Sequence, residues 1–114
     1  MKKIFITGLK NGFGKSLKNI FYQNSFEIYG ISKSIVKETD KIKKIDLKNT
    51  KNINSKLNLL FKNNKKFEYL ILNAGSLGPI TKTVELKIKE IKKNLDINVF
   101  SNKLILDYVI KNNI

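Results

Sequence analysis

Four residue types are missing from this chain of 114 residues: cysteine, histidine, tryptophan and arginine. Without cysteine the chain can form no disulfide and offers no thiolate nucleophile. Without histidine it has neither a Cys/His zinc site nor an imidazole general base. A Ser-His-Asp triad is therefore excluded, and any acid–base chemistry would have to use tyrosine, lysine, aspartate or glutamate.

Long apolar runs are missing as well. No segment approaches the length of a transmembrane helix, and Met1-Lys2-Lys3 is followed by only a short apolar stretch, unlike a signal peptide. Hydrophobic residues make up 41% of the chain, which is enough to build a core. We therefore expect one cytoplasmic domain over residues 1–114, with no membrane partner.

The charge is strongly basic, with a formal net value of +14. All 23 basic residues are lysine, whereas base readout in nucleic acids favours the planar fork of arginine. The lysines are also spread along the whole chain. We expect no specific nucleic-acid partner, only weak and salt-sensitive binding to polyanions.

The apolar pattern alternates between strand-like and helix-like segments. Strands are predicted over residues 2–7, 26–32, 41–46 and 67–72, and helices over 13–23, 50–63, 84–94 and 98–112. A bend or break is expected between the last two helices. Such alternation is typical of a parallel sheet with right-handed crossovers. The prediction from this alternation is an α/β fold with a parallel sheet of about four strands.

Three helical faces are predicted to pack on this sheet. They comprise Phe13, Leu17, Ile20 and Phe21 in the first helix, Ile53, Leu57, Leu60 and Phe61 in the second, and Leu104, Ile105, Tyr108 and Val109 in the last. The fourth strand is apolar enough to be buried on both faces. Without a fifth strand beside it, we expect it to be an exposed, apolar edge.

A glycine-rich turn joins the first strand to the first helix and reads Thr7-Gly8-Leu9-Lys10-Asn11-Gly12-Phe13-Gly14. Such a turn brings backbone N–H groups and a helix N-terminus to one point, which attracts a phosphate or pyrophosphate. Gly8 allows the backbone to leave the strand, Gly12 permits close approach of the ligand, and Gly14 lets the helix lie against the strand.

Two other interpretations of the turn are open. Gly14-Lys15-Ser16 matches the end of the phosphate loop of NTPases, G-x-x-x-x-G-K-[ST], but the first glycine would then be at position 9, which is Leu9. Because that loop is a cradle of fixed length, the mismatch disfavours it. The turn could also hold no ligand at all.

A second loop, Asn73-Ala74-Gly75, follows the fourth strand. In the order 3-2-1-4 the first and fourth strands are neighbours, so the two loops meet at the carboxyl edge of the sheet. Ligands of such sheets bind at that edge, where the strand order reverses.

Four features, in this order along the chain, resemble the short-chain dehydrogenase/reductase family. They are the Thr7–Gly14 turn, Asp46-Leu47 after the third strand, Asn73-Ala74-Gly75, and Asn98 within Asp96–Phe100. The resemblance implies a Rossmann-like fold, with a doubly wound sheet in the order 3-2-1-4 that ends before a fifth strand. It implies an NAD(P)-dependent oxidoreductase activity and hydride transfer. It also implies that Asn98 is the asparagine of the catalytic tetrad, and that Asp46 contacts the adenine. The implied cofactor-binding residues are Thr7, Gly8, Gly12, Phe13, Gly14, Ser32, Lys33, Asp46, Leu47, Asn73, Ala74 and Gly75.

The end of the second strand predicts which cofactor is preferred. The segment Gly30-Ile31-Ser32-Lys33-Ser34 contains no acid that could bind the ribose 2′-hydroxyl of NAD. Ser32 can donate a hydrogen bond, and Lys33 can neutralise a 2′-phosphate. We therefore expect NADP(H) rather than NAD(H); the alternative is that Lys33 is one more surface lysine.

The resemblance also implies a later serine and a Tyr-x-x-x-Lys pair, but the chain ends at Ile114, about where a fifth strand would begin. Tyr108 and Lys111 have one residue too few between them, and Tyr108 is predicted to face the core. We expect no dehydrogenase turnover by this chain alone. Residues 84–112 are expected to pair with a second copy or a full-length relative. The alternatives are a non-catalytic nucleotide- or partner-binding module and an NTP-binding protein.

Overall fold

The sheet of the computed structural model has four parallel strands, and the structure describes residues 1–35 and 37–114. The strands are β1 (Lys3–Thr7), β2 (Glu27–Ser32), β3 (Ile42–Lys44) and β4 (Tyr69–Leu72). Their order is β3-β2-β1-β4, and all three pairings are parallel. The predicted α/β class and strand order are confirmed.

The helices are α1 (Gly12–Gln23), α2 (Ile53–Phe61), α3 (Ile88–Leu95) and α4 (Ser101–Lys111). α2 follows a short 3-10 turn at Thr50–Asn52, and the chain forms another at Thr83–Glu85, where the third helix was predicted to begin. The expected bend or break before residue 98 is instead a π-helical turn, Asp96–Phe100, between α3 and α4. No helix within the described ranges is long and apolar enough to cross a bilayer.

Helices cover both faces of the sheet because successive side chains of a strand point in opposite directions. Phe5 points to the face that packs on α2 and α4, and Ile4 and Ile6 point to the face that packs on α1. The four predicted core residues of α2 are all buried: Ile53, Leu57, Leu60 and Phe61. In α4, Ile105 is buried, and the partly buried residues Leu104, Tyr108 and Val109 pack against the same core, as predicted.

The predicted inner face of α1 is wrong in part. Phe13 is 70% exposed and Ile20 is 55% exposed, whereas Leu17 and Phe21 pack on the sheet. Gly14, the buried residue of α1, lies against the turn below it. This contact rotates α1 so that positions 14, 17 and 21 face the sheet and positions 13 and 20 face outward.

The apolar composition of β4 does not bury it on both faces, and the expected exposed edge is confirmed. Tyr69 is 53% exposed, and the other residues of β4 are only partly buried. Within the described residues, β4 is hydrogen-bonded to β1 alone and forms one edge of the sheet. An edge strand has a neighbouring strand on one side only and is therefore not enclosed as a central strand is.

Candidate functional site at the carboxyl edge of the sheet

The glycine turn and the loop after β4 leave the sheet side by side. Thr7, the last residue of β1, is in register with Leu72, the last residue of β4. The backbone N–H of Ala74 donates to Thr7 Oγ1 at 2.9 Å, and Asn73 Nδ2 donates to the carbonyl of Gly8 at 3.3 Å. The predicted meeting of the two loops is confirmed, and Thr7 is buried as part of the joint.

The glycines of the turn are in different surroundings. Gly8 has a φ of +68°, and its N–H donates to the carbonyl of Ile31 at 2.8 Å. A Cβ added to Gly14 would lie 2.0 Å from the Gly8 carbonyl oxygen, which no real contact allows. Gly12 also has a positive φ, of +55°, and a Cβ added there would meet nothing within 4 Å. The turn is thus tightly packed at Gly8 and Gly14 and open at Gly12.

The N-terminus of α1 has no side-chain cap in the described part of the chain. Asn11 occupies the N-cap position, but its side chain makes no capping bond, and the first turn contains no acidic residue. Asn11 Nδ2 instead donates to Ser34 Oγ at 3.3 Å. The first N–H groups of α1 and the positive end of its dipole are therefore available to an anion.

A cavity of about 310 Å³ lies beside this turn. Its lining consists of Gly8, Asn11, Ser32, Lys33, Asp46, Leu47, Asn73, Ala74, Gly75, Ser76 and Ile97. Eight of these residues come from the set that the resemblance implied. Thr7, Gly12, Phe13 and Gly14 do not line the cavity. No sequence pattern singled out Asn11, Ser76 or Ile97, although each lies in or next to a predicted motif.

Two lysine side chains lie near the carboxyl end of β2, beside the cavity. Lys10 Nζ donates to the carbonyl of Ser34 at 2.7 Å, and Lys33 lines the cavity nearby. The hydroxyls of Ser32 and Ser34 lie 3.4 Å apart. This corner therefore presents two cations and two hydroxyls, a set suited to an anionic group.

Asp46 and Leu47 follow β3 and have different surroundings. Leu47 is 6% exposed and belongs to the core, although it also contributes to the cavity wall. Asp46 Oδ1 accepts a hydrogen bond from the backbone N–H of Lys48 at 3.2 Å, and its other oxygen lies 3.5 Å from the Lys48 ammonium. The carboxylate is thus held at the cavity while its neighbour anchors the segment.

Asn98 lies in the π-helical turn and binds the loop after β4. Its Oδ1 accepts from the N–H of Ser76 and its Nδ2 donates to the carbonyl of Ser76, both at 2.7 Å. Its own backbone carbonyl accepts from Asn102 Nδ2 at 3.1 Å. Asn98 does not line the cavity itself, but it fixes Ser76, which does.

The spacing Tyr-x-x-x-Lys occurs once in the chain, at Tyr29 and Lys33. Both residues belong to β2 or its end, so four residues of strand separate them by about 13 Å. The Tyr29 hydroxyl donates to Asn64 Oδ1 at 2.9 Å, and burial, aided by Glu27, raises the pKa of this phenol. Tyr29 is therefore a core residue and no partner of Lys33. Tyr108 faces the core as predicted, with its hydroxyl donating to Asn58 Oδ1 at 2.6 Å.

Comparison with known proteins gives consistent relatives. No family model matches the chain. An uncharacterized oxidoreductase of Saccharomyces cerevisiae, YIR035C, is 28% identical over 111 residues, which cover 88% of this chain and 44% of the relative.

Two solved structures extend the comparison. A short chain dehydrogenase family protein from Francisella tularensis superposes with a TM-score of 0.82 at 28% identity, over 99% of this chain and 46% of that one. A 4-hydroxyisoleucine dehydrogenase complexed with NADH superposes with a TM-score of 0.84 at 25% identity, over 98% of this chain and 49% of that one.

This chain thus spans about half the length of the relatives it matches. The structural similarity extends over nearly the whole of its own length. In sequence and in fold, the chain is similar to one half of these short-chain dehydrogenase relatives.

Proposed function

We propose that this chain binds a nicotinamide dinucleotide at the carboxyl edge of its sheet, as the cofactor-binding half of an NAD(P)-dependent oxidoreductase. The observation that carries the proposal is the joint between the glycine turn and the loop after β4. The bonds from Ala74 to Thr7 and from Asn73 to Gly8 hold both loops against one cavity. The relative complexed with NADH supports the choice of ligand.

The residues present fit such a cofactor. The uncapped N-terminus of α1 and the open space at Gly12 suit a pyrophosphate, which needs N–H donors and close backbone approach. Asp46 would accept from the adenine amino group. Asn73, Ala74 and Gly75 would line the path toward the nicotinamide. When bound, the cofactor would supply hydride transfer, while these residues orient it.

The preferred cofactor in this proposal is NADP(H). Lys33 lines the cavity, Lys10 Nζ donates to the carbonyl of the next residue, Ser34, and the hydroxyl of Ser32 lies 3.4 Å from that of Ser34. Two ammonium groups in this corner would attract a 2′-phosphate by charge. A ribose bearing only a hydroxyl would gain less from them, and the segment offers no carboxylate to bind it.

Calorimetric titration of Lys33→Glu tests this preference. We expect the substitution to weaken NADPH binding by about tenfold or more and to leave NADH binding unchanged or slightly stronger. Lys89→Glu, at an exposed position of α3, makes the same charge change away from the cavity and should leave the ratio of the two affinities unchanged. Equal losses for both cofactors in Lys33→Glu would contradict the assignment.

We further propose that Asn98 has a positioning role and that this chain alone has no turnover. The geometry around Asn98 supports a clamp on the cavity loop, and Tyr29 and Lys33 cannot act together as acid and stabiliser. An assay of NADPH-dependent carbonyl reduction by the pure chain should give no rate above background. A measurable rate would refute this part of the proposal.

Residues 84–112 are the proposed surface for a second copy or a full-length relative. Four apolar side chains of this segment share one side of the helix, at intervals of three or four residues, and each is at least 40% exposed: Ile88, Ile91, Leu95 and Val99. An apolar stripe of this kind on a helix is suited to another helix.

A further inference from the structure

A second and larger cavity lies at the opposite end of the sheet from the candidate cofactor site. Its volume is about 760 Å³. It is formed by the start of β2 and β3, the last turns of α1 and the residues before β1: Met1, Lys18, Asn19, Tyr22, Ser25, Phe26, Glu27, Ile28, Lys41 and Ile42. We call this cavity the amino-edge groove.

The groove exists because the connection from β2 to β3 has no helix. Residues 33–41 make the whole connection, and the described part of it contains no helical turn. Parallel strands are usually joined by about a dozen residues or more, commonly with a helix that covers the sheet. Ile28 and Ile42 therefore remain only partly buried on the α1 side, where such a helix would otherwise lie.

The floor and one wall of the groove are apolar. Ile28, Ile42 and Phe26 belong to the core cluster beneath α1 and form the floor. Tyr22 stands on the wall and is 73% exposed. Covering this exposed apolar area with a chain of CH₂ groups would remove it from water and so favour binding.

The rim of the groove is cationic. Lys18 lines it from α1, and no acidic side chain in residues 1–35 and 37–114 pairs with this ammonium. Lys41 lines the other side and lies 3.6 Å from Glu27, the one acidic residue of the lining. Lys2 adds a third cation, 5.9 Å from the ring of Phe26. An anionic group entering over the apolar floor would meet Lys18 first.

We propose that the amino-edge groove binds an amphipathic carboxylate, with its apolar chain on Phe26, Ile28 and Ile42 and its carboxylate at Lys18. The volume lies within the range of about 300–1,000 Å³ that is usual for small-molecule sites, so a small molecule and not a protein surface is the matching occupant. A second copy of the chain is disfavoured because it would bring a further charge of +14 to a cationic rim.

Isothermal titration of the 114-residue chain with decanoate tests this site, with acetate as the head group alone and decanol as the tail alone. We expect saturable binding of decanoate at one site, no measurable binding of acetate, and weaker binding of decanol. Lys18→Glu should weaken decanoate binding by about tenfold, because the ammonium becomes a like charge. Tyr22→Asp should weaken it similarly by placing a carboxylate on the apolar wall.

Two matched variants of α1 serve as controls. Lys15→Glu and Ile20→Asp make the same changes at exposed positions outside the groove, so their decanoate affinity should stay within about twofold of the original chain. Circular dichroism of all four variants verifies the fold. Equal losses in Lys15→Glu and Lys18→Glu would show general attraction to a basic chain and overturn the proposal.

Competition with NADPH separates this site from the proposed cofactor site. Decanoate affinity should be unchanged in the presence of NADPH, whether or not NADPH itself binds, because the two cavities lie at opposite ends of the sheet. Displacement of decanoate by NADPH would place it in the cofactor cavity and refute the proposal.

Discussion

Asn98 and Ser76 form the shortest pair of bonds between the helical segment and the cavity loop. A single amide side chain satisfies both backbone groups of Ser76 at 2.7 Å, so the loop after β4 is fixed to the π-helical turn. The cavity wall therefore depends on a residue that does not face the cavity. Asn98 is exposed, which lowers the net value of each bond because water competes for the same groups.

We predict that Asn98→Ala lowers the free energy of unfolding by about 1–2 kcal/mol, the net worth of two such bonds. Urea denaturation measures the change. Asn54→Ala, at an exposed position of α2, removes an amide without disturbing the loop and should change stability by less than about 0.5 kcal/mol. Equal effects of the two substitutions would show that the clamp contributes nothing.

Among the elements, the glycine turn and α1 are the most tightly coupled. Gly14 lies so close to Gly8 that any side chain there must push α1 away from the turn. Gly12, two residues earlier in the chain, has a left-handed backbone conformation and open space where a Cβ would lie. Replacing either glycine by alanine should therefore lower the free energy of unfolding by a different amount, although both lie in the first turn of α1.

Gly14→Ala should destabilise the chain by about 3 kcal/mol because the new Cβ overlaps the Gly8 carbonyl. Gly12→Ala should cost only about 1 kcal/mol, the strain of a positive φ. Denaturant titrations of both variants provide the comparison. If Gly12→Ala proved the more destabilising, the packing of α1 on the turn would have to differ from that described.

The elements also show how far the sequence could be interpreted alone. Apolar runs and helical spacing were sufficient to predict four strands, and the face of α2 was predicted in full. The strand order followed from the family resemblance. The face of α1 was not, because hydrophobic spacing admits Phe13 and Ile20 while the contact of Gly14 decides the rotation. The exposure of β4 follows from its place at the edge of the sheet, which the strand order predicts and the apolar composition of the strand does not.

The same limit applies to the candidate site. Motif order predicted that the turn and the loop after β4 meet, since both follow adjacent parallel strands. The bonds of Lys10 and Asn11 to Ser34, and of Asn98 to Ser76, join residues more than twenty positions apart and follow only from the folded backbone. The one sequence feature that indicates the amino-edge groove is the short connection between β2 and β3.

For the whole molecule, two opposing surface properties govern association. A net charge of +14 repels copies of the chain from one another. The exposed stripe of α3 and the open edge of β4 favour contact between copies. Salt screens the repulsion within about 8–10 Å at physiological strength and leaves the apolar attraction in place.

We therefore predict that the chain associates more strongly as salt is added, which sedimentation velocity at increasing sodium chloride concentration measures. Ile88→Asp, on the stripe, should shift the chain toward monomer. Leu59→Asp, at an exposed position of α2, is the control and should leave the association unchanged. A monodisperse monomer at every salt concentration would contradict the proposed surface on residues 84–112.

The central claim is that a nicotinamide dinucleotide binds at the carboxyl edge of the sheet, and heteronuclear NMR of the backbone amides during titration with NADPH tests it most directly. We predict saturable shift changes in residues 8–14, 32–34, 46–47 and 73–76, and none around the amino-edge groove. Shift changes confined to other surfaces, or none at all in a folded chain, would contradict the claim.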